Sequence, residues 1–344
     1  MTEYPYIYRS PMRESFYAFL DYKTSVKQKT FHYAFLFKQF DTFLMRRKYE
    51  RTYIDKEIYN EWLEERIAKV SPTTIYTENS NMHVFLVYIT RMGNDCYIPP
   101  QRKRPERTYV PHVISHEELN ALFVAIDGLR LKNRCTRNDL HAIPALIRLL
   151  YSTGIRLGEA LNLRNKDVDM KCRVIKLCKT KNWRERIAPI NDSLAVVLEE
   201  YLYYRSRIPA EGIGQPDGYF FCGAKGQKVP SNVIGFWFRT AVQDAGIPYY
   251  GRSEGGPNIH CLRHTACVHA LLKMVKSGLD PYCCLPTLST FMGHSDVTHT
   301  EYYLHLTEEL YPEIIQLERK ISSGVNEVIN NAYKRYHYCP VKVD

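Results

Sequence analysis

The chain has 344 residues and 45% hydrophobic content, which allows two or more domains with their own cores and excludes a disordered chain. A net charge of +10 at pH 7 points to a polyanionic partner, although a merely basic soluble enzyme would carry the same charge. There is no basic-then-apolar opening segment and no run approaching about 18 apolar residues, so the expected location is the cytoplasm, without a membrane partner.

Residues 1–98 predict four helices. Ser10 followed by Pro11 marks the start of the first, with Phe16, Phe19 and Leu20 at helical spacing. The second carries the stripe Leu36, Phe40, Phe43 and Leu44. Asp55 is the expected cap of the third, which holds Ile58 and Trp62, and Ser71-Pro72 opens the fourth. Lys23, Lys27, Lys29, Lys38, Arg46, Arg47, Lys48 and Arg51 predict basic outward faces. Pro99-Pro100 ends the helical pattern, and residues 99–112 read as an extended linker that could follow a phosphate backbone with Arg102, Lys103, Arg104 and Arg107.

Residues 113–310 predict a mixed α+β domain. Ser115 and Glu118 form a capping-box pair ahead of Leu119, Leu122 and Ile126. An apolar helix then runs to Gly154, a natural C-terminus, and a short helix restarts at Arg156. Val174 to Leu177 and Ile187 to Ile190 predict a hairpin with the basic tip Lys179-Thr180-Lys181-Asn182-Trp183-Arg184. Asp192 and Ser231 are the expected caps of two structural helices, and Tyr219 to Cys222 reads as a short strand or buried loop. His260 and Arg263 lie three apart, hence on one helical face. His260, Cys261, His264, Cys267 and His269 are metal-capable, but one helix rarely supplies a closed zinc site, and no metal is expected. His264 is expected to be a hydrogen-bonded core histidine. Thr298 and Glu301 predict a helix start that places Tyr303 in the second turn, with His294 in the loop before it. The ten cysteines include no CxxC pair, which fits free thiols better than a disulfide framework.

Three strings together resemble the tyrosine recombinase (phage integrase) family, including its transposon and Xer-type members. They are Thr153-Gly154-Ile155-Arg156-Leu157-Gly158-Glu159, His260-Cys261-Leu262-Arg263-His264-Thr265, and Gly293-His294-Ser295-Asp296 followed by Tyr303. The resemblance implies a mainly α fold with a small β-sheet: an N-terminal four-helix SAM-like core-binding domain before a mixed α+β catalytic domain. It also implies a site of Arg156, a hairpin lysine, His260, Arg263, His294 and the nucleophile Tyr303, with Glu159 in support. Lys181 lies eight residues before Pro189, the spacing that fits the family better; Lys179, of the same strand parity, is the alternate. The implied reaction is site-specific strand cleavage and rejoining of double-stranded DNA through a 3′-phosphotyrosyl link, without metal, cofactor or ATP. The implied assembly is a homotetramer on paired sites. A type IB-like topoisomerase shares the chemistry, but the full Gly-His-Ser string and the small helical N-domain argue against it. A non-catalytic DNA-binding protein is opposed by the intact Tyr303 and both arginines. Residues 311–344 predict a terminal helix whose stripe Ile314, Ile315, Leu317 and Ile321 would dock on a neighbouring protomer.

Overall fold

The structure is a computed structural model that describes residues 4–106, 110–130, 139–178, 185–249, 256–294 and 300–304. Arg107, Lys179, Lys181, the Thr298 cap and the terminal helix at 311–344 lie outside the described residues. The chain divides into two compact units, residues 1–108 and 109–344.

The first unit is four helices, α1 (Arg13–Ser25), α2 (Phe31–Arg46), α3 (Lys56–Ile67) and α4 (Pro72–Arg91). Their apolar stripes meet in an aromatic core in which Phe16 stacks on Phe37 at 4.7 Å and Phe40 meets Trp62 edge-on at 5.2 Å. Asp55 caps α3 by accepting from the Ile58 N–H, and Ser71 caps α4 by accepting from that of Thr74. The expected start at Ser10 is displaced to Arg13. The Asp41 carboxylate takes the backbone N–H groups of Arg9 and Ser10, and the chain turns from Ser10 into α1 with the Arg13 N–H on the Ser10 carbonyl, while the Ser10 hydroxyl caps nothing.

Two expectations for this unit need correction. Lys23 is not on an outward basic face: it is 8% exposed, and its ammonium lies over the rings of Phe19, Tyr33 and Tyr22 at 5.2, 5.5 and 5.7 Å. Arg46, Arg47 and Arg51 are exposed but paired with Glu65, Glu61 and Asp55, which reduces the net field of that surface. The beginning of the expected linker is also anchored: Pro99 and Pro100 offer their carbonyls to His83 and Asn79 of α4. Arg102, Lys103 and Arg104 beyond them are exposed.

The second unit holds α5 (His116–Asp127), α6 (Ile143–Thr153), α7 (Leu157–Ala160), α8 (Asp192–Arg205), α9 (Ser231–Asp244), α10 (Ile259–Lys276) and α11 (Pro281–Met292). A three-stranded antiparallel sheet of β1 (Val168–Asp169), β2 (Val174–Leu177) and β3 (Arg186–Pro189) completes it, with Ile175 opposite Ala188 and Leu177 opposite Arg186. The capping box of Ser115 and Glu118 is present. Asn191, not Asp192, caps α8, because its side chain reaches the Leu194 N–H. Ser231 is the first residue of α9 rather than its cap; Pro230 precedes it in extended backbone. Tyr219 and Cys222 make isolated bridges around the buried Phe220 and Phe221. No element was expected over α11, whose interior holds Pro286, a residue that usually ends a helix. Among the described residues no helix is long and apolar enough to cross a membrane.

Helix α6 runs through the core, with Leu146, Ile147, Leu149 and Leu150 buried, and packs against α10, which packs in turn against α11. Both α6 and α11 end at a glycine in the left-handed region, Gly154 (φ +61°) and Gly293 (φ +65°). Gly154 has a second constraint, since a Cβ there would meet the Met292 Sδ at 2.8 Å.

Gly154→Ala therefore combines an unfavourable φ with a clash, and is expected to destabilise the chain by about 2 kcal/mol or more. Gly235→Ala, inside α9 with nothing within 4 Å of a built Cβ, is expected to stabilise by up to about 1 kcal/mol. Denaturant midpoints with unchanged slopes check both signs.

Candidate active site

The two glycine-ended helices bring their C-terminal carbonyls together, and a side chain from α10 fills the space between. Arg263 is 3% exposed. Its guanidinium donates to the carbonyl of Gly154 through Nη1 and to that of Met292 through Nη2, the latter at 2.6 Å. A cation at two helix C-termini meets the negative ends of both dipoles. Burial and the neighbouring Arg156 push Arg263 down to about 10, which still leaves it charged at neutral pH.

Arg156 emerges from the turn after Gly154 as the residue that begins α7. Its backbone N–H and its Nη1 both donate to Glu159, each at 3.0 Å, and its Nη2 reaches the Gly293 carbonyl at 3.5 Å. Glu159 also accepts from Arg186 on β3, at 2.8 Å to Nη2 and 3.3 Å to Nη1. Burial alone would raise the Glu159 carboxyl, but the hydrogen bonds and charges of Arg186 and Arg156 hold it below the usual carboxylate range.

His294 follows Gly293. Its N–H closes the end of α11 on the Ser289 carbonyl at 3.0 Å, and its Nδ1 lies 2.8 Å from the Thr300 hydroxyl. Residues 300–304 are helical, and this contact sets the helix against the histidine. The rings of His294 and Tyr303 face one another, 5.9 Å apart and 2° from parallel. Tyr303 is 4% exposed among Cys267, Val268 and Met292. Burial raises its phenol above the ordinary value, with Cys267 adding to the effect, while Arg263 and Arg156 pull the other way.

His260 stands at the start of α10, exposed, its N–H bonded to Asn258. Partial burial and the charges of Arg263 and Arg156 lower its pKa; since the residue keeps solvent access, the charges are the more durable cause. Its ring meets that of His264 at 4.7 Å, and His264 lies 5.4 Å from the ring of Tyr303. Sequence reasoning placed His264 in the core as a hydrogen-bonded residue, but its buried Nδ1 has no partner. Burial, with His260 and Arg263, pushes it down to about 3, so it is neutral at neutral pH.

Five of the residues expected from sequence thus share one site, Arg156, Glu159, Arg263, His294 and Tyr303, with His260 at its rim. Both hairpin lysines lie outside the described residues. Arg186 was missed: it sits beside the basic hairpin tip and looked like one more exposed cation. Strand alternation misled here: the apolar Ile187 is the exposed residue of β3, and Arg186 shares the parity of the buried Ala188.

The phage integrase family model matches residues 112–309. The integrase/recombinase-named protein y4rB of Sinorhizobium fredii is 31% identical over 274 residues, 78% of this chain and 85% of that protein. Tyrosine recombinase XerC of Roseiflexus castenholzii is 32% identical over 167 residues, 48% of each chain. Among solved structures, the XerH site-specific recombinase bound to palindromic difH substrate has a TM-score of 0.60 at 20% identity, covering 81% of this chain and 77% of that one. The Tn1549 transposon integrase in complex with a circular intermediate DNA has a TM-score of 0.60 at 17% identity, covering 86% and 94%. The chain belongs to the phage integrase family, the tyrosine recombinases, enzymes that cleave and rejoin DNA in site-specific recombination. Neither the topoisomerase nor the non-catalytic alternative is favoured by this membership.

On another face of α10, His269 is 8% exposed, with its Nδ1 3.0 Å from the Tyr151 hydroxyl and its ring stacked on His116 at 4.1 Å. Burial and His116 push it down to about 4. A histidine whose pKa is lower folded than unfolded contributes stability above its unfolded value, lost as pH falls toward the folded one. Between pH 6.5 and 5 this group should cost roughly 2 kcal/mol. His269→Asn is expected to flatten the acid limb by that amount, measured as the difference in unfolding free energy between the two pH values.

Proposed function

We propose that Tyr303 is the nucleophile of this recombinase. Its phenolic oxygen attacks the scissile phosphorus, the P–O5′ bond breaks, and a 3′-phosphotyrosyl link and a free 5′ hydroxyl result. A phenol of ordinary pKa about 10 needs a base and a positive field to attack at neutral pH. His260, kept neutral by the charges beside it, accepts the phenolic proton. Arg156 and Arg263 neutralise the non-bridging oxygens of the five-coordinate transition state; a guanidinium has five donors, of which Arg263 spends two on backbone carbonyls. His294 donates to a phosphate oxygen, and Lys181, or Lys179 in its place, protonates the departing 5′ oxygen. Because one phosphodiester is exchanged for another, rejoining requires no ATP.

The substrate is double-stranded DNA, which the charge of +10 favours. Arg102, Lys103, Arg104 and Arg107 follow its backbone between a core-binding domain and the catalytic domain. The protein acts in the cytoplasm as a homotetramer on paired sites, each terminal segment from 311 onward docking on a neighbouring catalytic domain. The observation that carries the reading is the placement of Tyr303 face to face with His294, with the carbonyl-anchored Arg263 and Arg156 supplying the positive field that acts on it.

The test is recovery of covalent protein–DNA complexes under denaturing conditions from cells carrying the native target. Adjacent helical positions point about 100° apart, and Tyr302 is 40% exposed where Tyr303 is 4% exposed. Tyr303→Phe is expected to give no covalent complex and Tyr302→Phe to retain it. Covalent complexes from Tyr303→Phe would contradict the assignment.

A further inference from the structure

Arg186 opens β3, opposite Leu177, five residues beyond Lys181. An arginine at the foot of a basic hairpin has every reason to point to solvent, yet its side chain is only 10% exposed. Both of its terminal nitrogens are spent on Glu159. That carboxylate therefore receives four donors, two from Arg186 and two from Arg156, which is all that its lone pairs can accept. The flat guanidinium also lies against the turn that carries His294: a Cβ at Gly293 would come within 2.7, 2.8 and 2.9 Å of its Nη1, Cζ and Nε. So the absence of a side chain at Gly293 serves the approach of Arg186 as well as the positive φ.

The charge balance gives this arrangement a purpose. Two guanidiniums share one carboxylate, so the group keeps a net positive charge. With Arg186 removed, Glu159 would pair with Arg156 alone, cancelling its charge and drawing its donors away from the phosphate. Burial opposes the ionised carboxylate, and Arg186 is the first of the influences that keep it charged.

We propose that Arg186 is a positioning residue for strand cleavage: it holds Glu159 so that Arg156 keeps its direction and positive charge for the scissile phosphate, and it supports the Gly293–His294 turn. This rests on the reading of Tyr303 and Arg156 above. It also ties the hairpin strand to the phosphate-binding group, so that the strand and the arginines keep one register.

The experiment uses full-length protein and a target duplex recovered from the covalent complexes, made with either an ordinary phosphodiester or a neutral methylphosphonate at the scissile position. Arg186→Met and Arg186→Lys are compared with wild type for affinity, thermal transition and single-turnover adduct formation. Both variants are expected to bind within a few-fold of wild type and to cleave the phosphodiester on the order of 100-fold more slowly, the loss a misplaced catalytic group causes. On the methylphosphonate, which has less charge to neutralise, the deficit of Arg186→Met relative to wild type should shrink at least tenfold. A deficit of equal size on both linkages would reduce Arg186 to a purely structural part, and no deficit on the phosphodiester would remove the role altogether. Should Arg186→Met lose its native thermal transition, Arg186→Gln, which removes the charge but keeps a polar side chain, carries the same comparison. Failure of wild type to form an adduct at Tyr303 would instead overturn the proposed reaction.

Discussion

The Arg263 guanidinium is the interaction on which the catalytic unit depends. A buried cation is costly unless its donors find acceptors, and leaving one unpaired costs several kcal/mol. Here the acceptors are the last carbonyls of two helices, Gly154 of α6 and Met292 of α11. Satisfying one side chain of α10 thus requires two helix ends, far apart in sequence, to converge. The chain can leave each helix at that point only because a glycine adopts the left-handed conformation there. Arg156 issues from one of the two turns and His294 from the other. The candidate catalytic groups are near one another because the carbonyls before them share a cation.

Around this centre the electrostatics divide by residue type. Arg263, Arg156 and Arg186 concentrate positive charge, offset among the described residues by the carboxylate of Glu159. The imidazoles respond by staying neutral: His260 and His264 are both driven down, by burial and by adjacent cations. The phenol of Tyr303 is pulled in opposite directions, up by burial and down by the guanidiniums. Its resting form at neutral pH is therefore the protonated one, so its proton must pass to a base before it attacks.

Much of this was legible in the sequence, and the exceptions have physical reasons. The α5 capping box, the Asp55 and Ser71 caps and the Gly154 stop were readable because each is a local rule satisfied by neighbouring residues. The Ser10 start failed because its buried hydroxyl takes no backbone N–H, while Asp41, thirty-one residues away, holds the Ser10 N–H and fixes the segment before α1. Lys23 looked like a surface cation because its ring partners Phe19 and Tyr22 on α1 and Tyr33 on α2 are assembled only by packing. Helix α11 was hidden by Pro286. The site motifs were visible as strings, but the carbonyl ties that join them, and Arg186 on a strand between two of them, exist only in three dimensions.

The most direct test of the organising role of Arg263 is hydrogen–deuterium exchange of Arg263→Lys against wild type in the absence of DNA. Lysine keeps the charge but has one nitrogen where the guanidinium presents a fixed fork to two carbonyls. Faster exchange is expected at residues 154–160, 289–294 and 300–304 together, with α1 to α4 unchanged. Wild-type protection in all three segments would contradict it, because the turns would then be held without the shared cation.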